Sequence, residues 1–317
     1  MSQGAQADHG NLPYTAAGPD FCLLHDYGLL KVSGADAASF LQGQATCDIH
    51  ALLPGAAGCG AFCTPKGRVI ANFRIARADD AFYLWLAAEL VEPVRQRLRM
   101  YVLRSRVVIE DLTPQFALIG LSGAGVEAAF AECNLEIPVG ATEWRCESGY
   151  AVMRLHDDSG RMLAAVDHDE RPELLECLTN RLTRVNPDVW RIRDIKAGWP
   201  LVVPATSEAF LPQMLNLDLL DGVSFNKGCY TGQEIVTRTR FLGQLKRRLF
   251  RLRCLADSVP APGDPVYDAS SPELSQVGQM VNACRDGMGD IQCLAVLALD
   301  HTENLKDYKV CESDSQA

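Results

Sequence analysis

Phe225-Asn226-Lys227-Gly228-Cys229-Tyr230-Thr231-Gly232-Gln233-Glu234 is the stretch on which the reading of this 317-residue chain turns. It sets a cysteine between two glycines, with an ammonium two residues before the sulfur and an amide–carboxylate pair just beyond. Gly228 and Gly232 permit backbone geometries closed to other residues and let a ligand come close to the main chain. An ammonium beside a thiol favours thiolate, the nucleophilic form; a carboxylate such as Glu234 opposes it. By composition alone the stretch is a glycine-bounded turn with an inert thiol.

Just upstream of this stretch lies a segment dense in loop residues (198–232), and before that a helix is expected over 188–197. Downstream, from Leu249, short strands separated by Gly, Pro and Asp predict a small all-β module of barrel type. Residues 107–186 read as a second α+β unit. Its strand-like runs (107–109, 116–121, 151–155, 162–166) alternate with helical ones (125–133, 172–182). Nearer the start, Val69, Ala71, Phe73 and Ile75 alternate with Asn72 and Arg74. Asp79-Asp80 then makes a turn, and Phe82, Leu84 and Leu86 return as the second strand of an antiparallel hairpin. The helix that follows takes Pro93 in its first turn, where a missing N–H costs little. Residues 21–32 are strand-like with a break at His25-Asp26-Tyr27-Gly28. Ser33 and Asp36 offer N-cap chemistry for a short helix carrying Ala37, Phe40 and Leu41. The ends, 1–20 and 301–317, read as flexible.

Composition removes several classes. At 48% hydrophobic and 22% charged the chain is not wholesale disordered. Lys plus Arg number 30 against 40 Asp plus Glu, and the net charge of −10 argues against a general nucleic-acid coat protein. The first twenty residues lack a signal-peptide pattern, and no apolar run approaches the ~20 residues of a membrane span. A soluble cytoplasmic chain with no membrane partner is expected. Twelve cysteines are scattered with no C-x-x-C, so reduced thiols, no disulfide framework and no metal site are expected. Phosphate-loop, nucleophile-elbow and dinucleotide-loop motifs are missing.

The ten-residue string closely resembles the K-G-C-[YF]-x-G-Q-E signature of the YgfZ family of folate-binding proteins. That family is related to the glycine-cleavage aminomethyltransferase (T-protein) and to mitochondrial assembly factors for iron–sulfur proteins. Four further blocks resemble it in the same order: Phe40-Leu41-Gln42-Gly43-Gln44-Ala45-Thr46-Cys47-Asp48, Cys63-Thr64-Pro65-Lys66-Gly67-Arg68, Ile195-Lys196-Ala197-Gly198-Trp199-Pro200, and Phe210-Leu211-Pro212-Gln213-Met214-Leu215-Asn216-Leu217. The resemblance implies an α+β fold of three modules in a ring, with antiparallel sheets, helices and a small C-terminal β-barrel. A discontinuous folate-binding domain would span 21–106 plus 190–244, a second domain 107–189, and the barrel 245–300.

The resemblance also implies tetrahydrofolate, or a one-carbon derivative of it, as ligand. A pterin needs aromatic or apolar faces, hydrogen-bonding groups at its edge, and cations for its tail carboxylates. Trp190 sits where family members use an aromatic residue, and Tyr27 where one well-known member has tryptophan. Gln213, Asn216 and Glu234 are candidate polar edges; Lys66, Arg68 and Lys227 are candidate tail cations. Cys229 is the candidate redox or transfer nucleophile, assisted by Lys227 and expected at the mouth of the pterin cavity, with Gly228 and Gly232 setting the loop. The favoured function is a folate-dependent factor supporting iron–sulfur protein assembly or repair, and thereby tRNA methylthiolation, with iron–sulfur client enzymes as partners. The alternative is a tetrahydrofolate-dependent aminomethyltransferase, although the carboxylate that the T-protein places near its reacting nitrogen is not identifiable here. Seven basic residues and no acidic one lie between Arg238 and Arg253. The favoured reading of these is a charged strand face, so direct tRNA contact is not expected.

Overall fold

The computed structural model describes residues 12–14, 18–140, 142–147, 149–155, 160–254, 257–268, 275–300 and 308–310. The elements are β1 (Asp20–Leu23), β2 (Tyr27–Ser33), α1 (Ala37–Gln42), β3 (Ala57–Cys63), β4 (Val69–Arg77), β5 (Ala81–Ala87), α2 (Ala88–Arg99), β6 (Val108–Asp111), β7 (Phe116–Ser122), α3 (Val126–Glu132), β8 (Trp144–Glu147), β9 (Tyr150–Arg154), β10 (Met162–Asp167), α4 (Pro172–Arg181), β11 (Thr183–Arg184), α5 (Asp188–Lys196), α6 (Gln233–Phe241), β12 (Arg247–Cys254), β13 (Pro265–Asp268), β14 (Gln276–Arg285), β15 (Ile291–Ala298) and β16 (Tyr308–Val310). They build three sheets: β3-β4-β5-β2-β6, β11-β1-β7-β10-β9-β8, and β12-β15-β14-β13-β16. All pairings are antiparallel except β1 with β11. Among the described residues no helix is long and apolar enough to cross a membrane.

The expected hairpin is β4–β5, in register at Ile75 opposite Leu84. Alternation nevertheless misleads about β4, because both of its faces are buried. The polar side chains have partners instead of solvent. Asn72 donates to the Pro200 carbonyl and accepts the Val202 N–H, and Arg74 reaches Asp194. Two strands cross the domain boundaries expected from the sequence. β1 pairs with β7 in the second sheet, while β6 pairs with β2 in the first. The second sheet also gains β8 and β11, which the sequence reading did not anticipate.

Other local expectations need correction. Helix α2 begins at Ala88, directly off β5, so Pro93 lies inside it; Leu90, Val91, Val94 and Leu98 form its buried face. Asp36 stands at the N-cap position of α1 without capping it, since its carboxylate accepts the Arg106 N–H instead. Cys133 and Cys177 are joined in a disulfide that ties α3 to α4, against the expectation that every thiol is free. Parts of the expected flexible ends are anchored. Tyr14 packs on the core and donates to Asp188, and β16 adds an edge to the third sheet through β13. The rest of those ends lies outside the described residues.

Helix α5 organises the centre. Asp188 occupies its first turn and Arg193 and Lys196 its last, each sign matching the helix dipole. Trp190 is buried in the cluster shared by the first two sheets, Ile192 and Ile195 in the cluster under the first, and the helix packs on β14 and β15. All three sheets therefore meet around this one helix.

Candidate functional site

A cavity of about 720 Å³ opens beside α5. Its wall takes Leu24 from the turn after β1, Tyr27 from β2, Glu89 from α2, Trp190, Arg191 and Asp194 from α5, Trp199 and Leu201 from the following loop, and Asn282 and Ala283 from β14. Trp190 and Asp194 stand one turn apart, and that spacing puts them on the same helix face. The rings of Tyr27, Trp190 and Trp199 are each less than a tenth exposed. Asn282 follows a bulge in β14, a device that re-aims a side chain. Its amide is spent on the Leu201 backbone N–H and carbonyl.

Asp194 sits behind the rings. It accepts from the Tyr27 hydroxyl at 2.6 Å, Arg74 at 2.8 Å and Arg161 at 2.9 Å. Burial alone would push its carboxyl up, but the two guanidiniums and the phenol hold it below the ordinary carboxylate value. Burial and the Asp194 anion push the Tyr27 phenol up, so its proton stays in place as the donor. The same guanidiniums cover the indoles: Arg74 lies 4.1 Å from the Trp199 ring centre and Arg161 lies 4.8 Å from that of Trp190. Both indole nitrogens, Trp190 Nε1 and Trp199 Nε1, are buried with no hydrogen-bond partner among the described residues.

Of the residues expected at a folate site, Tyr27 and Trp190 line this cavity, and Gln213, Asn216, Glu234, Lys66, Lys227 and Cys229 do not. Gln213 is buried and donates to the Val236 carbonyl. Asn216, at a left-handed φ of 58°, donates to the Leu249 carbonyl and accepts from Arg248. These two amides join the 210–217 segment to α6 and β12. Glu234 is exposed in the first turn of α6. Lys66 and Arg68 line a separate hollow with Thr64, Arg97 and Glu208. Arg161, Arg74, Asp194 and Trp199 were not singled out from the sequence. The signal for Trp199 lay inside the Ile195–Pro200 block; for Asp194 it was the four-residue step from Trp190.

The signature loop has its own construction. The Lys227 ammonium is turned inward, donating to the Ala45 and Cys47 carbonyls at 2.8 and 2.7 Å, and burial pushes its pKa down to about 8. Gly232 has φ 88°, and a Cβ there would run into the Thr64 carbonyl and Gly67, so glycine is required. Gly228 has open space where a Cβ would stand. The Thr231 N–H donates to the Gly43 carbonyl. Three resembling blocks are thus stitched into one surface, from which Cys229 projects, exposed. Cys229, expected at the mouth of a pterin cavity, is not among the residues that line the cavity beside α5.

Residues 22–145 match the GCVT N-terminal domain. Over 277 residues the chain is 32% identical to the tRNA-modifying protein YgfZ of Yersinia pestis (strain Pestoides F), covering 87% of this chain and 84% of that one. The chain belongs to the YgfZ family. The YgfZ protein of Yersinia enterocolitica is 31% identical over the same coverage. Among solved structures, the glycine cleavage system aminomethyltransferase T from Bartonella henselae superposes with a TM-score of 0.77, covering 90% of this chain and 80% of its own, at 15% identity. That likeness shows that this chain has the T-protein fold, with the antiparallel sheets and helices that the resemblance implied.

Proposed function

We propose that this protein is a cytoplasmic folate-binding factor that supports the assembly or repair of iron–sulfur enzymes and, through them, tRNA modification. The curated relatives are named tRNA-modifying proteins, which supports the end result. The observation that carries the ligand is a cavity of about 720 Å³ lined by Tyr27, Trp190 and Trp199, of which the two tryptophans have buried indole N–H groups with no acceptor among the described residues. A buried donor without an acceptor costs free energy, and a pterin brings ring nitrogens and a carbonyl oxygen that accept. The volume lies within the ~300–1,000 Å³ of small-molecule sites, and the aromatic wall suits a flat heterocycle. A tetrahydrofolate bound there would supply a reduced pterin able to carry one-carbon units. Trp190, Trp199 and Tyr27 would hold and orient the ring, and the Asp194 cluster would keep their positions fixed.

The transferase alternative is not favoured. Asp194 is already engaged by two guanidiniums and a phenol, and Asp26 and Asp188 are both held by Arg191. Glu89, the lining carboxylate with no ion pair among the described residues, is exposed to solvent and not among the buried rings. A base for a reacting nitrogen has to be free to take a proton. Cys229, exposed and away from the cavity wall, is read as a thiol presented to a client protein rather than to the folate, with Lys227 as the anchor of its loop.

The test is titration with tetrahydrofolate followed by tryptophan fluorescence. Wild type is expected to bind, Trp190→Ala to bind at least about tenfold more weakly (the loss of one buried aromatic contact), and Cys229→Ser to bind as wild type does. Absence of binding by wild type removes the proposal, and unchanged binding by Trp190→Ala removes Trp190 from the site.

A further inference from the structure

The cavity has two electrostatically different ends. Its Tyr27, Trp190 and Trp199 side chains are buried, whereas the titratable lining side chains that reach solvent are His25, Asp26, Glu89, Asp188 and Arg191, among neutral ones such as Leu23, Pro187 and Pro262. Arg191 forms ion pairs with both Asp26 and Asp188. Glu89 is exposed and makes no ion pair among the described residues. The solvent end therefore carries three carboxylates against one guanidinium. Lys66, Arg68 and Arg97, which would complement an anionic tail, line the other hollow.

We propose that this site selects the short-tailed, monoglutamyl form of its folate and disfavours γ-linked polyglutamyl tails, with Glu89, Asp26 and Asp188 as the discriminating residues. The inference rests on the folate reading above. The flat ring belongs among the buried side chains of Tyr27, Trp190 and Trp199, because carboxylates cannot be taken there without a large desolvation cost. The tail then lies at the acidic end, and each further glutamyl unit adds one more negative charge among three. Exposed like charges repel modestly, and salt screens them over ~8 Å at physiological ionic strength, so the discrimination is graded and salt-sensitive.

Mono- and triglutamyl tetrahydrofolate, titrated against the full chain at low and at physiological salt, provide the test. At low salt the triglutamate is expected to bind about three- to tenfold more weakly, with the gap closing as salt is added. Glu89→Lys, at an exposed position, is expected to abolish or reverse the gap. Equal or tighter triglutamate binding by wild type overturns the inference and leaves the folate reading standing, as does a gap indifferent to both salt and Glu89→Lys. Failure of both forms to bind removes the folate reading, and this inference with it.

Discussion

Lys227 shows how a residue inside a motif acquires a role its neighbours in sequence do not suggest. Two positions before Cys229, it reads as an ammonium for the thiol. In the fold its Nζ turns away, to the carbonyls of Ala45 and Cys47, 5.1 Å from the centre of the Tyr230 ring. Burial lowers its pKa to about 8 from 10.5, so between those values the unfolded chain binds a proton that the folded chain does not. Stability from this group is therefore fully present above about pH 10.5 and is lost as the pH falls through about 8. The neutral amine keeps two N–H donors, enough for both carbonyls. Lys227→Met is expected to cost about 1–3 kcal/mol through the orphaned carbonyls. Urea unfolding across that window checks the sign: the advantage of wild type over the variant grows with pH, and a flat difference refutes the linkage.

Among the elements, strand β7 shows what patterning reveals and what it conceals. Its apolar run marked a strand correctly, but nothing in the run says that Gly120 is the floor under Trp190. A Cβ at Gly120 would collide with the indole ring. Gly120→Ala is expected to destabilise the protein by about 1–3 kcal/mol, as overpacking does, and to weaken ligand binding because the ring must move into the cavity. Thermal unfolding and the same fluorescence titration check both effects, and a variant that unfolds and binds like wild type shows the contact to be slack. Periodicity gave the β4–β5 hairpin and most of the second unit, because those strands alternate or run apolar between turn residues. It placed α2 late, since Pro93 looks like a start and only the burial of Leu90 and Val91 shows that the helix is already under way. It missed β8 and β11, short strands that apart from the buried Trp144 are exposed and carry no pattern.

In the whole molecule, Asp194 is the knot. It receives Tyr27 from β2, Arg74 from β4 and Arg161 from just before β10, so one carboxylate binds the first sheet, the second sheet and α5. Asp194→Asn is expected to leave two guanidiniums buried without their counter-charge, at a cost of about 3–5 kcal/mol. Because its carboxyl is held below 3.8, this contribution is present above that pH and is lost as acid drives the pH through the lowered value. Denaturant unfolding at neutral pH and in acid checks both parts: the penalty should shrink in acid, and a pH-independent one would assign the loss to packing. Such a knot was not legible beforehand, because its members lie 33 to 167 residues from Asp194 and only the tertiary fold unites them. Tyr27 and Trp190 lie outside the five resembling blocks and were singled out only by the positions at which the family carries aromatic residues. Gln213 and Asn216 lie inside one of the blocks, yet they serve the joints between elements, a distinction that sequence similarity does not draw.

The separation of β1 and β2 into different sheets governs how the chain is made. As the polypeptide leaves the ribosome, β2 can find its partner β5 within some sixty residues, but β1 must wait for β7, nearly a hundred residues later, and for β11 beyond that. Until then Phe21 and Cys22, buried in the finished protein, stand bare on an unpaired edge, the kind of segment that invites chaperone capture or mispairing with another nascent copy.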